Sequence, residues 1–513
     1  EKPEILLYAE DLITGYRVDI HDGGSNSWRS LCARVGDYSF KGSDLKLSIS
    51  DEGWISDSAV EAADDSSDDL YLSEAIVRWS GWSLVAPRPG KHIGTDDTPA
   101  DYQSKPETEF GLAVSFKPAP KSLPRLRFGS SYRLRARAVD MAGNGLTLAE
   151  ADALMPTLGA SAATEPVTYL RHDPVPSPVL LLRQSVAASQ GESVDVLVIR
   201  SYNDTPQKDK VVTKETSERH ISPPLGPQML AETHGMFDTP GGMDKAAYNL
   251  IISREGTYTV GDGKQEQVHP EKQLLVPYLP DPVAIGVWFH NLPGMKPDEP
   301  KKVDFTAPWP ERMPFRIKLT EGSFRPSFDA ENRELPVGIP KGETVRIKLS
   351  SNVQPTLRQV SGAWELIDRS GSPQKRVEDI GRLAAVGRYW LLTPTRDTLL
   401  VHAVQQPLVV PDCRIRQFRR VFGETFLRMT DSFPISGKST AKVDIEATWE
   451  EPVDALTEPE PGIRSSSAHV LEIAVAYEDE QAKFANRRHE FGDTRHRYVN
   501  YHAVATTRYR EYF

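Results

Sequence analysis

Three side chains that could hold a metal ion or exchange protons lie in the irregular stretch from 215 to 300. They are His220, Glu232 and His234, and zinc hydrolases build their sites from such imidazole and carboxylate ligands. Residues 226–235 predict one short helix, with a proline in its first turn and a glycine at its end. On that helix Glu232 and His234 would point about 200° apart. Hydrogen-bonded loop histidines are therefore the first interpretation, and a carbohydrate-active or metal-dependent hydrolase with its site in 215–300 is the alternative.

An acidic run at 61–69 supplies oxygen atoms of the kind that calcium binds. Its aspartates are Asp64, Asp65, Asp68 and Asp69. Their spacing lacks the central glycine and the terminal glutamate of an EF-hand loop. A solvated acidic loop is the first interpretation, so we expect no cofactor, with calcium as the alternative.

Residues 489–497 hold two histidines, two carboxylates and two arginines within nine positions of a single turn-like segment. Such a group could transfer protons, or it could form ion pairs where a strand ends. Because cations and carboxylates lie side by side in the segment, we predict a structural network of ion pairs.

Residues 436–440, Ser-Gly-Lys-Ser-Thr, carry the last letters of a phosphate-binding loop. The glycine that this motif requires five positions before Gly437 is Ser432, and a strand follows where the motif needs a helix. The segment therefore predicts a turn between strands. The chain also has neither a Gly-x-Gly-x-x-Gly nor a Gly-x-Ser-x-Gly motif, so the sequence gives no support for a dinucleotide fold or an α/β-hydrolase.

Trp79, Trp82 and Trp309 could form a sugar-binding surface, because indole faces stack on pyranose rings by apolar contact. Trp79 and Trp82 lie in 75–85, which the apolar pattern predicts as a pair of strands, and Trp309 lies between two prolines. Nine tryptophans in a chain of this length also fit several hydrophobic cores. Core packing is the first interpretation, and a glycan-binding module is a further alternative.

The acidic balance of the chain limits its partners. Its formal net charge is −11, which repels phosphate backbones and anionic lipid headgroups. Six arginines lie between 487 and 510 with tyrosines among them, a composition that could indicate nucleic-acid binding. A period of two, however, places Tyr501 beside Ala503 on one face, so packing explains the aromatic residues. No apolar run approaches the roughly 20 residues of a membrane span. We therefore expect protein partners or self-assembly, with glycan as an alternative, no nucleic acid and no membrane-spanning segment.

Residues 131–146 give the sharpest structural signal, because strict alternation runs directly into a Gly-Asn-Gly turn. Tyr132, Leu134, Ala136 and Ala138 fall on one face, and the arginines at 133, 135 and 137 fall on the other. This period of two predicts a half-buried strand.

The same stretch resembles the penultimate strand and following turn of a fibronectin type III module, a Tyr-led strand that ends in Arg-Ala-x-Asp-x-Ala-Gly-Asn. Residues 15–31 look like the middle strand, the turn and the next short strand of that family. The resemblance implies a β-sandwich with a long insertion and a binding role, and it brings no catalytic residues. It leaves two alternatives for residues 1–14, either a chain that continues a longer polypeptide or a module with replaced opening strands.

The remaining segments predict a mainly β protein of multidomain, Greek-key sandwiches with a few short helices. Forty prolines favour short elements joined by turns, and six segments between 315 and 506 alternate or run apolar over strand lengths. A helix is predicted at 376–386. We place a fibronectin type III-like sandwich with a long insertion at 1–165, an irregular β-rich domain at 166–300 and a β-sandwich at 301–513.

Cys32 and Cys413 are far apart and predict two separate buried thiols without a disulfide framework. These patterns predict a non-catalytic structural or interaction component of a larger bacterial surface, secreted or phage-tail-like assembly. An extracellular or cell-surface location is favoured over the cytoplasm. The hydrolase and the glycan-binding module stay open as alternatives.

Overall fold

The computed structural model of the chain is mainly β, as the strand pattern predicts. The structure describes residues 12–56, 61–62, 70–71, 75, 77–89, 91–93, 99–101, 111–182, 186–203, 212–253, 257–259, 265–267, 278–296, 299–323, 325–354, 360–363 and 372–513.

The chain divides into two compact units. The first comprises Glu1–His172, Met229–Gly242 and Val360–Gly362, and the second comprises Asp173–Gln228, Met243–Gln359 and Ala363–Phe513. In the second unit, strands from both sides of residue 300 share one sheet. The three-domain division at 165 and 300 stays a prediction.

The first unit is built on two sheets. The larger has the strand order β12-β11-β1-β2, with β5 paired to β1, and the smaller has the order β10-β3-β4. The elements in the first 168 residues are β1 (Ile13–Asp22), β2 (Ser27–Ser30), β3 (Ala33–Phe40), β4 (Lys46–Glu52), β5 (Ile55–Ser56), β6 (Glu61–Ala62), β7 (Leu70–Tyr71), β8 (Lys91–Ile93), β9 (Pro99–Asp101), β10 (Leu112–Pro118), β11 (Ser131–Asp140), α1 (Leu148–Leu158) and β12 (Val167–Thr168).

Strands β1 and β11 form the centre of the larger sheet. They pair antiparallel from Ile13↔Asp140 to Asp22↔Tyr132. Val18 and Ile20 of β1 pack with Tyr132 in a buried core, which agrees with the strand and turn predicted at 131–146.

The hydroxyl of Tyr132 ties β11 to the chain that precedes it. It donates a hydrogen bond to the carbonyl of Arg125 at 2.7 Å and accepts one from the backbone N–H of Arg127 at 2.9 Å. Trp79 packs edge-on against the Tyr132 ring, with the centroids 5.6 Å apart. The tyrosine therefore fixes the corner at which the chain enters β11.

The expected burial of β11 is reversed in its second half. Arg135 and Arg137 are buried, whereas Ala136 and Ala138 are exposed. Both guanidinium groups donate to Asp19, with Nε–Oδ2 distances of 2.8 and 2.9 Å, and Asp19 is itself completely buried. The ion pairs with Asp19 on the neighbouring strand β1 offset the cost of burying the two guanidinium groups, so the arginine face of β11 is buried.

The predicted strand pair at 75–85 is wrong for the part of that segment that the structure describes, because those residues form bends and irregular chain. Two apolar residues of this segment, Val77 and Leu84, pack against the core around Ile20. The apolar run is therefore explained by burial of a loop. A buried loop and a buried strand can both give an apolar run of this length, so the pattern alone does not distinguish them.

The second unit begins with a sandwich of two sheets, with the strand orders β13-β16-β25-β26 and β15-β14-β28-β27-β23-β24. Phe289, Phe315 and Ile347 lie in the core between them. The elements are β13 (Val179–Leu181), β14 (Val196–Tyr202), β15 (Val212–Thr213), β16 (Ser217–Ser222), β17 (Leu225–Pro227), α3 (Lys245–Ser253), β20 (Thr257–Thr259), β21 (Gln265–Gln267), β22 (Tyr278–Pro280), β23 (Ala284–His290), β24 (Lys301–Asp304), β25 (Phe315–Glu321), β26 (Glu334–Ile339), β27 (Thr344–Val353), α4 (Pro373–Ala385) and β28 (Arg396–Val404). Between β17 and α3 the chain forms α2 (Gln228–Thr233), β18 (Asp238–Thr239) and β19 (Gly242–Met243), of which Met229–Gly242 belong to the first unit.

The last hundred residues form a separate core within the second unit, here called the C-terminal sandwich (residues 413–507). Its sheets have the strand orders β29-β30-β33 and β32-β31-β34, and Phe433, Ile445 and Phe484 fill the space between them. The strands are β29 (Gln417–Arg419), β30 (Phe426–Pro434), β31 (Thr440–Val453), β32 (Gly462–Ala474), β33 (Gln481–Glu490) and β34 (Val499–Thr507). The turn predicted at 436–440 connects β30 to β31, and thus passes from one sheet to the other.

The helices are short, as predicted. The helix expected at 376–386 is α4, which Ser372 caps by accepting a hydrogen bond from the N–H of Lys375 at 3.3 Å. The helix expected at 226–235 is α2. In the described part of the chain, no helix combines the length and the apolar character needed to cross a bilayer.

Candidate interaction surface

The three proposed metal-site residues lie in different units. His220 is buried on β16 of the second unit, whereas Glu232 and His234 belong to the first. The Nε2 atom of His234 is 3.2 Å from Nη1 of Arg171, and because a guanidinium only donates, this nitrogen accepts. Its ring also packs on Phe128, with the centroids 4.7 Å apart.

Among the residues that the structure describes, no group of three or more histidine, cysteine, aspartate or glutamate side chains is arranged to hold a metal ion. The calcium candidates Asp64, Asp65, Asp68 and Asp69 lie outside the described residues. The metal and calcium assignments stay predictions.

The segment 489–497 forms ion pairs, as predicted. Arg497 donates to Asp493 at 2.5 Å and to Glu451 at 2.7 Å. The Arg497 side chain and the backbone N–H of Arg495 hold the pKa of Asp493 well below its usual range. The segment connects β33 in one sheet to β34 in the other, so these ion pairs brace a crossover between sheets.

His489 differs from its neighbours, because it points into the C-terminal sandwich. Its Nδ1 lies 2.7 Å from the hydroxyl of Tyr501, and the rings of Trp449 and Phe491 pack around it. Burial lowers the pKa of His489. The side chain is thus a neutral core residue at neutral pH.

The tryptophans proposed to bind sugars are mostly in packed surroundings. Trp79 contacts the core through Tyr132, Trp82 donates its indole N–H to the carbonyl of Pro87 at 3.1 Å, and Trp309 donates to the carbonyl of Pro280 at 2.8 Å. Trp390, by contrast, is 70% exposed. The glycan-binding assignment of Trp79, Trp82 and Trp309 stays a prediction.

A serine–histidine pair in the second unit has the hydrogen-bond pattern of a nucleophile and its base. Nδ1 of His402 donates to the carbonyl of Ile339 at 3.0 Å, so Nε2 accepts from the hydroxyl of Ser201 at 2.8 Å. Both side chains have no solvent exposure. Burial lowers the pKa of His402, and the pair joins β14 to β28 inside the sheet.

The outer face of the sheet β29-β30-β33 is concave, and we call it the basic groove (lined chiefly by residues 416–421, 428–432 and 483–486). Two adjoining depressions of about 540 and 530 Å³ share Gln417 and Thr430 in their walls. Because β30 pairs with β33, residues around 428 meet residues around 486, although nearly sixty positions separate them in sequence. Strand pairing therefore assembles the groove from distant segments.

Positive charge dominates the basic groove. Arg416, Arg419, Arg428 and Lys483 are all exposed, and in the described part of the chain none of them has a carboxylate within ion-pair distance. The walls also contain the carboxylates of Glu424 and Asp431, so the four cations leave a net positive charge, which attracts negative charge from another molecule.

Apolar side chains flank the basic groove, since Phe418 and Val421 are part of its lining and Phe422 follows Val421 in the chain. Phe418 is 70% exposed, Phe422 is fully exposed and Val421 is about half exposed. The loop that presents them turns at Gly423, whose φ of 89° requires a residue without a side chain. Glu424 fixes the same turn by accepting a hydrogen bond from the N–H of Val421 at 3.0 Å.

Arg420 anchors this loop to the body of the C-terminal sandwich. Its guanidinium donates to the carbonyls of Asp493 and Arg495, at 2.8 and 3.0 Å, and lies 5.0 Å from the centre of the Phe491 ring. The exposed phenylalanines are thus held on an anchored loop.

This surface was not predicted from the sequence, although a signal was present. Residues 414–430 contain five arginines and one acidic residue in a chain whose net charge is −11. A local reversal of charge beside Phe418 and Phe422 would have marked the segment.

Comparison with models of known protein families gives no match. No curated protein matches the chain. Among solved structures, the chain is similar to the FN1–FN3 domains of chicken CNTN1, at 8% identity and a TM-score of 0.16, over 97% of this chain and 91% of that one. A TM-score of this size carries no argument about fold or function.

Proposed function

We propose that the chain is a non-catalytic structural or interaction component of a larger assembly, and that its basic groove binds a protein. The observation that carries this proposal is the combination of exposed Phe418 and Phe422 with unneutralised Arg416, Arg419 and Arg428. Aromatic side chains and arginine are enriched in the central, energetically important part of protein interfaces.

The first unit supports the scaffold part of the proposal. Its sheet order β12-β11-β1-β2 corresponds to the G-F-C-C′ order of immunoglobulin-like sandwiches, and the hydroxyl of Tyr132 makes the backbone contacts of a tyrosine corner. On these two features we assign residues 13–168 to a fibronectin type III-like module with a long insertion.

The setting we propose for this component is a bacterial surface, secreted or phage-tail-like assembly, outside the cytoplasm. The support is the β-sandwich architecture alone, since two free cysteines and a negative net charge fit proteins on either side of the cell membrane. No nucleic-acid partner is part of the proposal, because the anionic chain as a whole repels polyphosphates.

Site-specific photocrosslinking in the native cell tests the proposal. A photoreactive phenylalanine analogue replaces Phe422 in one variant and Trp390 in a matched control, because both side chains are highly exposed. We expect defined protein adducts, identified by mass spectrometry, from position 422 and none from position 390. Equal background labelling at both positions would contradict a protein-binding role for the basic groove.

A further inference from the structure

We propose that the partner bound in the basic groove is a second copy of this chain, which inserts the acidic tip of its β31–β32 hairpin. This inference rests on the proposed function, because it names the protein that the groove binds. It follows from unneutralised charges and exposed apolar side chains on two surfaces of the C-terminal sandwich.

The β31–β32 hairpin extends beyond the sheet to which it belongs. Strand β34 pairs with β31 only as far as Trp449↔Val499, whereas β32 pairs with β31 as far as Val453↔Gly462. Four further residue pairs at about 3.3 Å each give a two-stranded arm of roughly 13 Å. We call its end, residues 454–461, the acidic tip.

The acidic tip carries negative charge, which the net positive basic groove attracts. Asp454, Glu458 and Glu460 are exposed, and among the described residues none of them has a cation within ion-pair distance. Leu456 between them is fully exposed, and Ile463 just beyond the tip is 72% exposed. Leu456 and Ile463 thus give the arm two exposed apolar side chains beside its carboxylates.

The two surfaces match in composition. The acidic tip offers three carboxylates to the arginines of the basic groove, Arg416, Arg419 and Arg428, and Leu456 offers an apolar side chain to Phe418 and Val421. Arginine pairs with carboxylates through two parallel hydrogen bonds, which gives such contacts direction as well as strength.

The arrangement of the two surfaces favours reciprocal exchange between two copies. Arg497 binds Glu451 at the base of the arm and also Asp493, and Arg420 beside the groove binds the backbone of Asp493. The arm and the exposed loop therefore project from the same end of the sandwich. Two copies related by a twofold axis can each insert a tip into the other's groove, which closes the assembly as a dimer.

Charge-swap variants test this inference by sedimentation equilibrium over a series of concentrations. We expect the wild-type chain to dimerise, and R416E/R419E/R428E (groove variant) and D454K/E458K/E460K (tip variant) each to dimerise roughly 100-fold more weakly, because like charges then oppose each other. R346E reverses one exposed charge on β27 and serves as the matched control, with no effect expected. Circular dichroism confirms that every variant is folded.

Recombination of the variants gives the decisive result. A mixture of the groove variant and the tip variant has complementary charges in both contacts, so we expect it to form a heterodimer of near wild-type affinity. One chain carrying all six substitutions is also expected to dimerise. A monomeric wild-type chain, or a dimer that neither variant weakens, would overturn the inference. In that case an adduct from position 422 to a different protein would still support the proposed function.

Discussion

At the scale of single residues, burial favours the uncharged form of several cysteine and histidine side chains. Burial raises the pKa of the Cys413 thiol to about 11 and also raises that of Cys32, and both cysteines are free, as the sequence predicts. His402 and His489 are buried with pKa values below the usual histidine range. The side chains that another molecule can reach are instead the exposed charged residues, which attract partners of opposite charge.

The buried histidines make the stability of the second unit depend on pH. Burial and the nearby Lys348 lower the pKa of His290 from 6.5 to about 4. A histidine with a lowered folded pKa contributes its full stability above pH 6.5 and loses it as the pH falls toward 4. We expect His290 alone to account for a loss of about 3 kcal/mol over this range.

Urea unfolding at several pH values measures this loss. In H290Q the titrating group is absent, so the free energy of unfolding should fall less steeply between pH 6.5 and 4 than in the wild type. The comparison of slopes removes the contribution of carboxylates that titrate in the same range. Identical slopes would show that His290 does not carry this dependence.

Asp19 neutralises two buried arginines, and its removal should destabilise the first unit strongly. D19A leaves Arg135 and Arg137 buried without this carboxylate, which costs about 3–5 kcal/mol for a buried ion pair. The matched control is D152A, since Asp152 pairs with Arg135 at 2.7 Å but is 46% exposed, and we expect a loss below about 1 kcal/mol. Urea unfolding followed by tryptophan fluorescence compares them, and equal effects would contradict this account.

At the scale of elements, alternation predicted strands well but not which face they bury. The segments chosen between 315 and 506 correspond to β25, β27, β28, β31, β32 and β34. The face of β11 was not predictable, because the buried carboxylate that pairs with Arg135, Asp19, lies more than a hundred positions away. The arginine-rich segment 414–430 was visible in the sequence, but the groove itself was not, since Arg428 meets Asn486 only when β30 and β33 pair.

The corner before β11 depends on one hydroxyl group. In Y132F, the carbonyl of Arg125 and the N–H of Arg127 lose their hydrogen-bond partner, so we expect the first unit to lose about 1–2 kcal/mol. Y498F, which changes a ring that is 84% exposed, should leave stability unchanged. Thermal and urea unfolding of both variants check this, and an unchanged Y132F protein would argue against a structural role for the corner.

At the scale of the whole molecule, net charge and local charge have opposite effects on association. A charge of −11 makes two copies repel each other, whereas the acidic tip and the basic groove attract. If the tip and groove carry the dimer, added salt should weaken it, because screening acts most on exposed ion pairs.

Sedimentation equilibrium between 50 and 500 mM sodium chloride measures this balance. We expect the dissociation constant of the dimer to rise roughly tenfold over that range. A constant that falls with salt would mean that screened repulsion dominates and that apolar contacts elsewhere hold the copies together.

An intermolecular disulfide tests the central claim most directly. One chain carries L456C, a second carries F418C, and the two are mixed under mild oxidation and separated without reductant. The account predicts a covalent heterodimer from this mixture and none from L456C mixed with W390C, whose thiol lies at an equally exposed position. Equal yields from the two mixtures, or no covalent heterodimer at all, would contradict docking of the acidic tip in the basic groove.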